Sequence, residues 1–211
     1  MKYGVIWDLD GTLWDACDQI SAAWNSCLAG LGIDRRFSPD ECRSFCGKLL
    51  EEIAEAAFPE KEKAWREAVI SACFEAECGP LSQYGGRLYE GFEEVLRALH
   101  KSYFMAVVSN CGEGYIEAFY QGNQTKRFFD DEENAGRTGM GKAENIRLVL
   151  QRNGLDRAVY IGDTEGDFLA AQKAGIEFIH AAYGFGTVKE PCKKIHSLFE
   201  LPKLLEDIFS E

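Results

Sequence analysis

The apolar run Tyr3-Gly4-Val5-Ile6-Trp7 ends in Asp8-Leu9-Asp10-Gly11-Thr12-Leu13. A run this short and this apolar reads as a strand buried on both faces, the kind that parallel sheets use. Two carboxylates then stand two residues apart at its C-terminal edge, and the glycine after them permits a turn. Open α/β sheets hold their ligands beyond that edge. Adjacent carboxylates repel unless a cation or a shared proton compensates. A hard divalent cation such as Mg2+ prefers oxygen donors of this kind. The same residues also suit a plain polar turn, so the hexapeptide alone leaves both readings open.

A second acidic cluster follows another apolar run. Val159-Tyr160-Ile161 leads into Gly162-Asp163-Thr164-Glu165-Gly166-Asp167, then Phe168-Leu169-Ala170-Ala171. Asp163 takes the strand-to-loop position that Asp8 takes in the first run. One helical turn would put Asp163 and Asp167 on the same face, and Asp167 equally suits a helix N-terminus, where acidic side chains are favoured. Between the clusters, Phe104-Met105-Ala106-Val107-Val108 is a third buried-strand pattern. It ends in Ser109-Asn110, whose hydroxyl and amide can donate to a phosphate oxygen. Gly139-Met140-Gly141-Lys142 opens a helical stretch. A cation there opposes the helix dipole. It fits an anion bound nearby, or else a solvated surface lysine.

In this order, Asp-x-Asp-Gly-Thr-Leu, Ser-Asn, Lys and Gly-Asp-Thr-x-x-Asp resemble the motifs of the haloacid dehalogenase-like (HAD) superfamily of phosphohydrolases. The resemblance covers essentially the whole chain and points to the group with a small helical cap, which includes the phosphoglycolate phosphatases. It implies an α/β fold, a Rossmann-like parallel sheet core with an inserted all-helical cap domain. It also implies a Mg2+-dependent phosphatase that hydrolyses a small phosphorylated metabolite through an aspartyl-phosphate. By position, Asp8 would be the nucleophile and Asp10 the general acid and then base. Ser109, Asn110 and Lys142 would bind the transferring phosphoryl group. Asp8, the Asp10 carbonyl and Asp163 would hold Mg2+, with Asp167 and Thr12 in support. Asp10 separates this chain from the halide-displacing members, which usually lack a second Asp in the first motif. Trp7 stands where Phe is usual. A phosphosugar mutase of the same fold is the alternative activity. Such mutases typically carry a His soon after the first motif, and residues 16–24 contain none. A non-catalytic binding protein of this fold would have lost Asp8, Asp10, Lys142 or Asp163, and all four are present.

Residues 15–83 carry helical periodicity without strand alternation, with helices expected over 15–31, 38–58 and 60–78. Ser38 and Pro39 suit a helix start. These residues form the expected cap, and 1–14 with 84–211 form the core. Hinges fall near 14–16 and at Gln83-Tyr84-Gly85-Gly86. In the core, helices are expected over 91–99, 113–121, 142–153, 167–174 and 197–209. Strands are expected over 104–109, 128–130, 159–162 and 177–180. Within the cap, Cys42-Arg43-Ser44-Phe45-Cys46-Gly47-Lys48 resembles the family's specificity loop. Arg43 or Lys48 facing the site would imply a second anionic group on the substrate, as in phosphoglycolate, a small sugar phosphate or a nucleotide. As solvated surface cations they would imply nothing.

The net charge of −12 argues against nucleic acid or an anionic membrane as partner. No apolar run approaches the roughly 20 residues of a membrane span, and the first residues show no signal-peptide pattern. The expectation is a cytoplasmic enzyme. Its eight cysteines then read as reduced thiols packed as small hydrophobes. A zinc site from Cys42, Cys46, Cys73 and Cys78 lacks the usual paired spacing. His100, His180 and His196 match no catalytic pattern.

Overall fold

The computed structural model of the chain describes residues 1–210. In chain order its elements are β1 (Tyr3–Trp7), β2 (Trp14–Asp15), α1 (Cys17–Gly30), α2 (Pro39–Phe45), α3 (Leu50–Ala57), α4 (Lys63–Tyr84), β3 (Arg87–Leu88), α5 (Phe92–Leu99) and β4 (Phe104–Ser109). Then come α6 (Tyr115–Asn123), β5 (Asp131–Asn134), α7 (Ala135–Thr138), α8 (Lys142–Asn153), β6 (Arg157–Gly162), α9 (Glu165–Ala174), β7 (Glu177–Ala181), β8 (Lys193–Ile195) and α10 (Leu201–Ser210).

Six parallel strands form one sheet in the order β5-β4-β1-β6-β7-β8. The first apolar run lies at its centre, with Trp7 opposite Val107 of β4 and Ile161 of β6. Alternation along the strands feeds two separate cores. Val5, Trp7, Met105, Val107, Val159 and Ile161 pack with α5, α6, α10 and the helices that follow β2. Ile6, Ala106, Val108, Tyr160 and Phe178 pack with α8 and α9. This double burial explains why the strands read as continuous apolar runs. The strand order reverses at β1, so a crevice opens beyond the C-terminal ends of β1, β4 and β6.

Helices α1–α4 interrupt the path from β2 to β3. The outgoing and returning chains pair there in a two-residue antiparallel ladder, Trp14 opposite Leu88 and Asp15 opposite Arg87. The insert is tied to the sheet layer where α4 packs on α6. The single helix expected over 38–58 is two helices. Ser38 and Glu41 start α2 with reciprocal side-chain-to-backbone bonds of 3.2 and 2.9 Å. The helix stops at Phe45, and the chain turns through Gly47, which is left-handed at φ +81°. Glu52 then accepts from the Leu49 amide as α3 begins. Helix α4 runs six residues past the expected end at 78. The strand expected over 128–130 lies at Asp131–Asn134, after a 3-10 turn. β8, with only Ile195 of its three residues buried, carries too little pattern to be read from sequence. No helix among the described residues is long and apolar enough to cross a membrane.

The α4–α6 seam depends on close backbone approach. A Cβ at Gly122 would lie 2.1 Å from the Leu81 carbonyl oxygen and 2.7 Å from the Gly85 Cα. Gly122→Ala is therefore expected to destabilise the protein by about 1–3 kcal/mol. Chemical denaturation reads this directly, and an unchanged midpoint would mean that the two helices do not meet as described.

Candidate active site

Strand β1 delivers Asp8 and Asp10 to the crevice. The Asp8 amide still donates to the Ile161 carbonyl, at 2.8 Å, so this residue extends the ladder by one position. Beyond it the chain folds back, with the Leu13 amide donating to Leu9. The turn brings Gly11 against Asp163, where a Cβ would lie only 2.4 Å from the carboxylate. Strand β6 delivers Asp163 from the neighbouring position. Its Oδ2 accepts the Phe185 and Gly186 amides at 2.7 and 3.0 Å, and its Oδ1 faces the Thr12 hydroxyl at 3.4 Å.

Asp167 combines both of its sequence readings. Its Oδ2 accepts from the Thr164 amide and hydroxyl at the start of α9. Its Oδ1 accepts the Lys142 ammonium. Lys142 opens α8, is only 5 % exposed, and also donates to Asp8 Oδ1 at 2.6 Å. The helix start, unfavourable for a cation by the dipole alone, thus aims it at two buried carboxylates.

The electrostatics follow from this enclosure. Asp8, Asp10, Asp163 and Asp167 are all buried, and Lys142 is the one basic side chain in ion-pair contact with any of them among the described residues. Burial, reinforced by Asp167, raises Asp8 to about 7 against the pull of Lys142. Burial and Asp167 likewise raise Asp163 to about 7. Burial opposes the Lys142 charge, but Asp167 and Asp8 together hold it above its ordinary value. Asp10 also rises to about 7 through burial. It does so although its Oδ1 accepts from the Tyr115 hydroxyl at 2.7 Å and the Trp14 indole at 2.9 Å.

One carboxylate oxygen each from Asp8, Asp163 and Asp167 falls within 4.8 Å of the others. The donors are hard oxygens, closely spaced, and their negative charge exceeds that of the single lysine. This set suits a divalent cation of the Mg2+ type.

Ser109, at the end of β4, and Asn110 line a cavity that also contains Asp10 and Lys48. Asn110 donates to the Gly47 carbonyl at 2.9 Å, joining the site to the turn between α2 and α3. Arg43 stands outside that lining. It is held by Asp15 at 3.2 Å and Asp40 at 2.6 Å, so its charge is already paired by two carboxylates. Cys42, Cys46, Cys73 and Cys78 do not converge on a common point; the acidic trio is the metal-capable group among the described residues. Three aromatic contributors carried no sequence signal of a site. Trp14 and Tyr115 grip Asp10, and the Tyr160 hydroxyl lies 3.4 Å from Asp8 while donating to the Val108 carbonyl. Each looked like ordinary core because its ring is core and only its polar tip reaches the site.

Residues 5–181 match the family of haloacid dehalogenase-like hydrolases. A 5'-nucleotidase from Pseudomonas aeruginosa is 31% identical over 196 residues, covering 88% of this chain and 85% of that protein. A phosphoglycolate phosphatase from Cereibacter sphaeroides is 28% identical over 222 residues, covering 98% of this chain and 99% of that protein. In fold, a haloacid dehalogenase-like hydrolase from Streptococcus pneumoniae superposes with a TM-score of 0.81 at 22% identity, over 97% of this chain and 98% of the other. Motif order, sheet order and family match agree: the chain belongs to the haloacid dehalogenase-like hydrolase family.

Proposed function

We propose that this chain is a Mg2+-dependent phosphatase that hydrolyses a small-molecule phosphate monoester through an aspartyl-phosphate on Asp8. The observation that carries the reading is the setting of Asp8. Its Oδ1 is fixed by Lys142, while its Oδ2 accepts no hydrogen bond among the described residues and is free to act as nucleophile. Phosphoryl transfer chiefly needs in-line positioning and neutralisation of oxygen charge.

Asp8 forms a bond to phosphorus as the ester oxygen leaves. Lys142, Ser109 and Asn110 receive the phosphoryl oxygens. Asp10 gives its proton to the departing alcohol. The resulting carboxylate then takes a proton from water, whose oxygen attacks phosphorus and frees Asp8 and inorganic phosphate. A carboxyl raised to about 7 suits a group that must both give and take a proton near neutrality. Asp8, Asp163 and the Asp10 carbonyl would hold Mg2+, with Asp167 and Thr12 in support; the ion supplies positive charge against the repulsion between Asp8 and a dianionic ester. Residues 15–83 act as the cap over a core of 1–14 and 84–211, with the β2–β3 ladder at the hinge.

The direct test is release of p-nitrophenol from p-nitrophenyl phosphate. Mg2+-dependent turnover that Asp8→Asn abolishes is expected, and metal-independent turnover would contradict the proposal. Asp10→Asn should lower kcat/KM, which reports transfer to Asp8, by about 10²–10⁴-fold for alkyl esters and much less for p-nitrophenyl phosphate, because p-nitrophenolate leaves without needing a proton. The value of kcat should fall for both, because the hydrolysis step also uses Asp10.

Stability should depend on pH and metal together. Asp8 and Asp163 have folded values raised to about 7 from 3.8, so in this window the folded state binds more protons than the unfolded state. Their contribution is therefore present at low pH and lost as pH rises from about 4 to about 7. In thermal unfolding, the stabilisation given by Mg2+ over chelator should grow between about pH 5 and pH 8. A difference independent of pH would exclude these carboxyls as the binding groups.

A further inference from the structure

The cavity beside Asp10 contains a carboxyl that the proposed chemistry does not use. Glu77, on α4, is 3 % exposed yet lines this cavity. Its Oε2 accepts the Trp24 indole N–H at 2.5 Å. No lysine, arginine or histidine pairs with it among the described residues. Burial pushes its carboxyl well above the usual range, the Trp24 bond opposes this only in part, and the nearby charge of Asp10 adds to the rise. Once ionised, a buried carboxyl without a counter-charge is costly, so it gains most from a cation brought to it.

The surrounding walls favour the same occupant. Trp24, Phe45 and Phe74 all line the cavity. Trp24 lies 6.1 Å from Phe45 and 6.0 Å from Phe74 between ring centroids. Aromatic faces attract a desolvated ammonium group, whereas they offer a carboxylate nothing. Lys48 is the one cation of the lining. It is only partly buried, and its ammonium lies 5.8 Å from the Phe45 ring centroid, so it leaves Glu77 uncompensated.

We propose that this cavity receives the leaving group of an amino-alcohol phosphate ester, with the ammonium group against Glu77 and among the rings of Trp24, Phe45 and Phe74. The inference rests on the phosphatase reading above. Asp8 takes the phosphoryl group, and the cavity selects what leaves.

Three esters of nearly equal size test it: O-phosphoethanolamine, 2-hydroxyethyl phosphate and phosphoglycolate, with p-nitrophenyl phosphate as a reference. The expected order of kcat/KM is ammonium, then hydroxyl, then carboxylate. Glu77→Gln should lower kcat/KM for O-phosphoethanolamine about tenfold or more, the scale of a hydrogen bond to a charged group. It should leave the reference ester within about twofold and move phosphoglycolate up relative to the amine. Phosphoglycolate turned over as well as the amine ester, or an equal loss on every ester in Glu77→Gln, overturns the inference and leaves the phosphatase reading standing. No Mg2+-dependent turnover of any of the four overturns the phosphatase reading itself. If Glu77→Gln does not fold, the order of the three esters on the wild-type enzyme decides alone.

Discussion

The Lys142 ammonium between Asp8 and Asp167 is the contact on which the site depends. Four aspartate side chains are sequestered at one sheet edge, and like charges at this spacing cannot all be ionised without compensation. One lysine offsets part of the charge, and burial, with the neighbouring carboxylates adding to it, raises Asp8, Asp10 and Asp163. A polar cluster built this way is expensive until it is completed by further positive charge. That incompleteness suits the cluster to further positive charge of the divalent-cation type.

The fold supplies the geometry at modest local cost. Parallel pairing of β1 with β4 and β6 sets three strand ends side by side, so residues far apart in sequence arrive at one crevice. Lys142 reaches in from the first turn of α8, which is held against the sheet by Ile146 and Val149. The polar tips of Trp14 and Tyr115 arrive from rings that pack edge to face, 5.7 Å apart between centroids. The orientation of Asp10 is thus tied to core packing and not to a loop. On the opposite side, Asn110 binds the Gly47 carbonyl, giving the helical insert a direct hold on the strand end that carries Ser109.

Much of this was legible beforehand, for physical reasons specific to each element. Strand β4 and helix α8 start and stop where the pattern places them, because a doubly buried strand and a glycine-bounded helix both carry strong local signals. The four aspartates and Lys142 stood out because charge at the end of an apolar strand is hard to explain by packing. Gly47 was legible as a residue that would allow a loop or kink between helices, but the exact ends of α2 and α3 were not, because residues on both sides of it carry helical periodicity. Arg43 was open to two readings, substrate contact or solvated cation, because its partner Asp15 lies 28 residues away in sequence and only the fold brings the two together. Glu77 was the hardest to see. It lies on a long helix, where an acidic residue normally faces water, and its indole partner Trp24 stands more than fifty residues away in sequence.

The proposed activity turns on transfer of the phosphoryl group to Asp8. Acid-quenched enzyme after brief exposure to 32P-labelled acetyl phosphate and Mg2+, followed by peptide mapping, tests it most directly. A base-labile label on the peptide that contains Asp8, absent from Asp8→Asn, is the expected result. Label on another residue, or full turnover with no labelled peptide at any quench time, would contradict it.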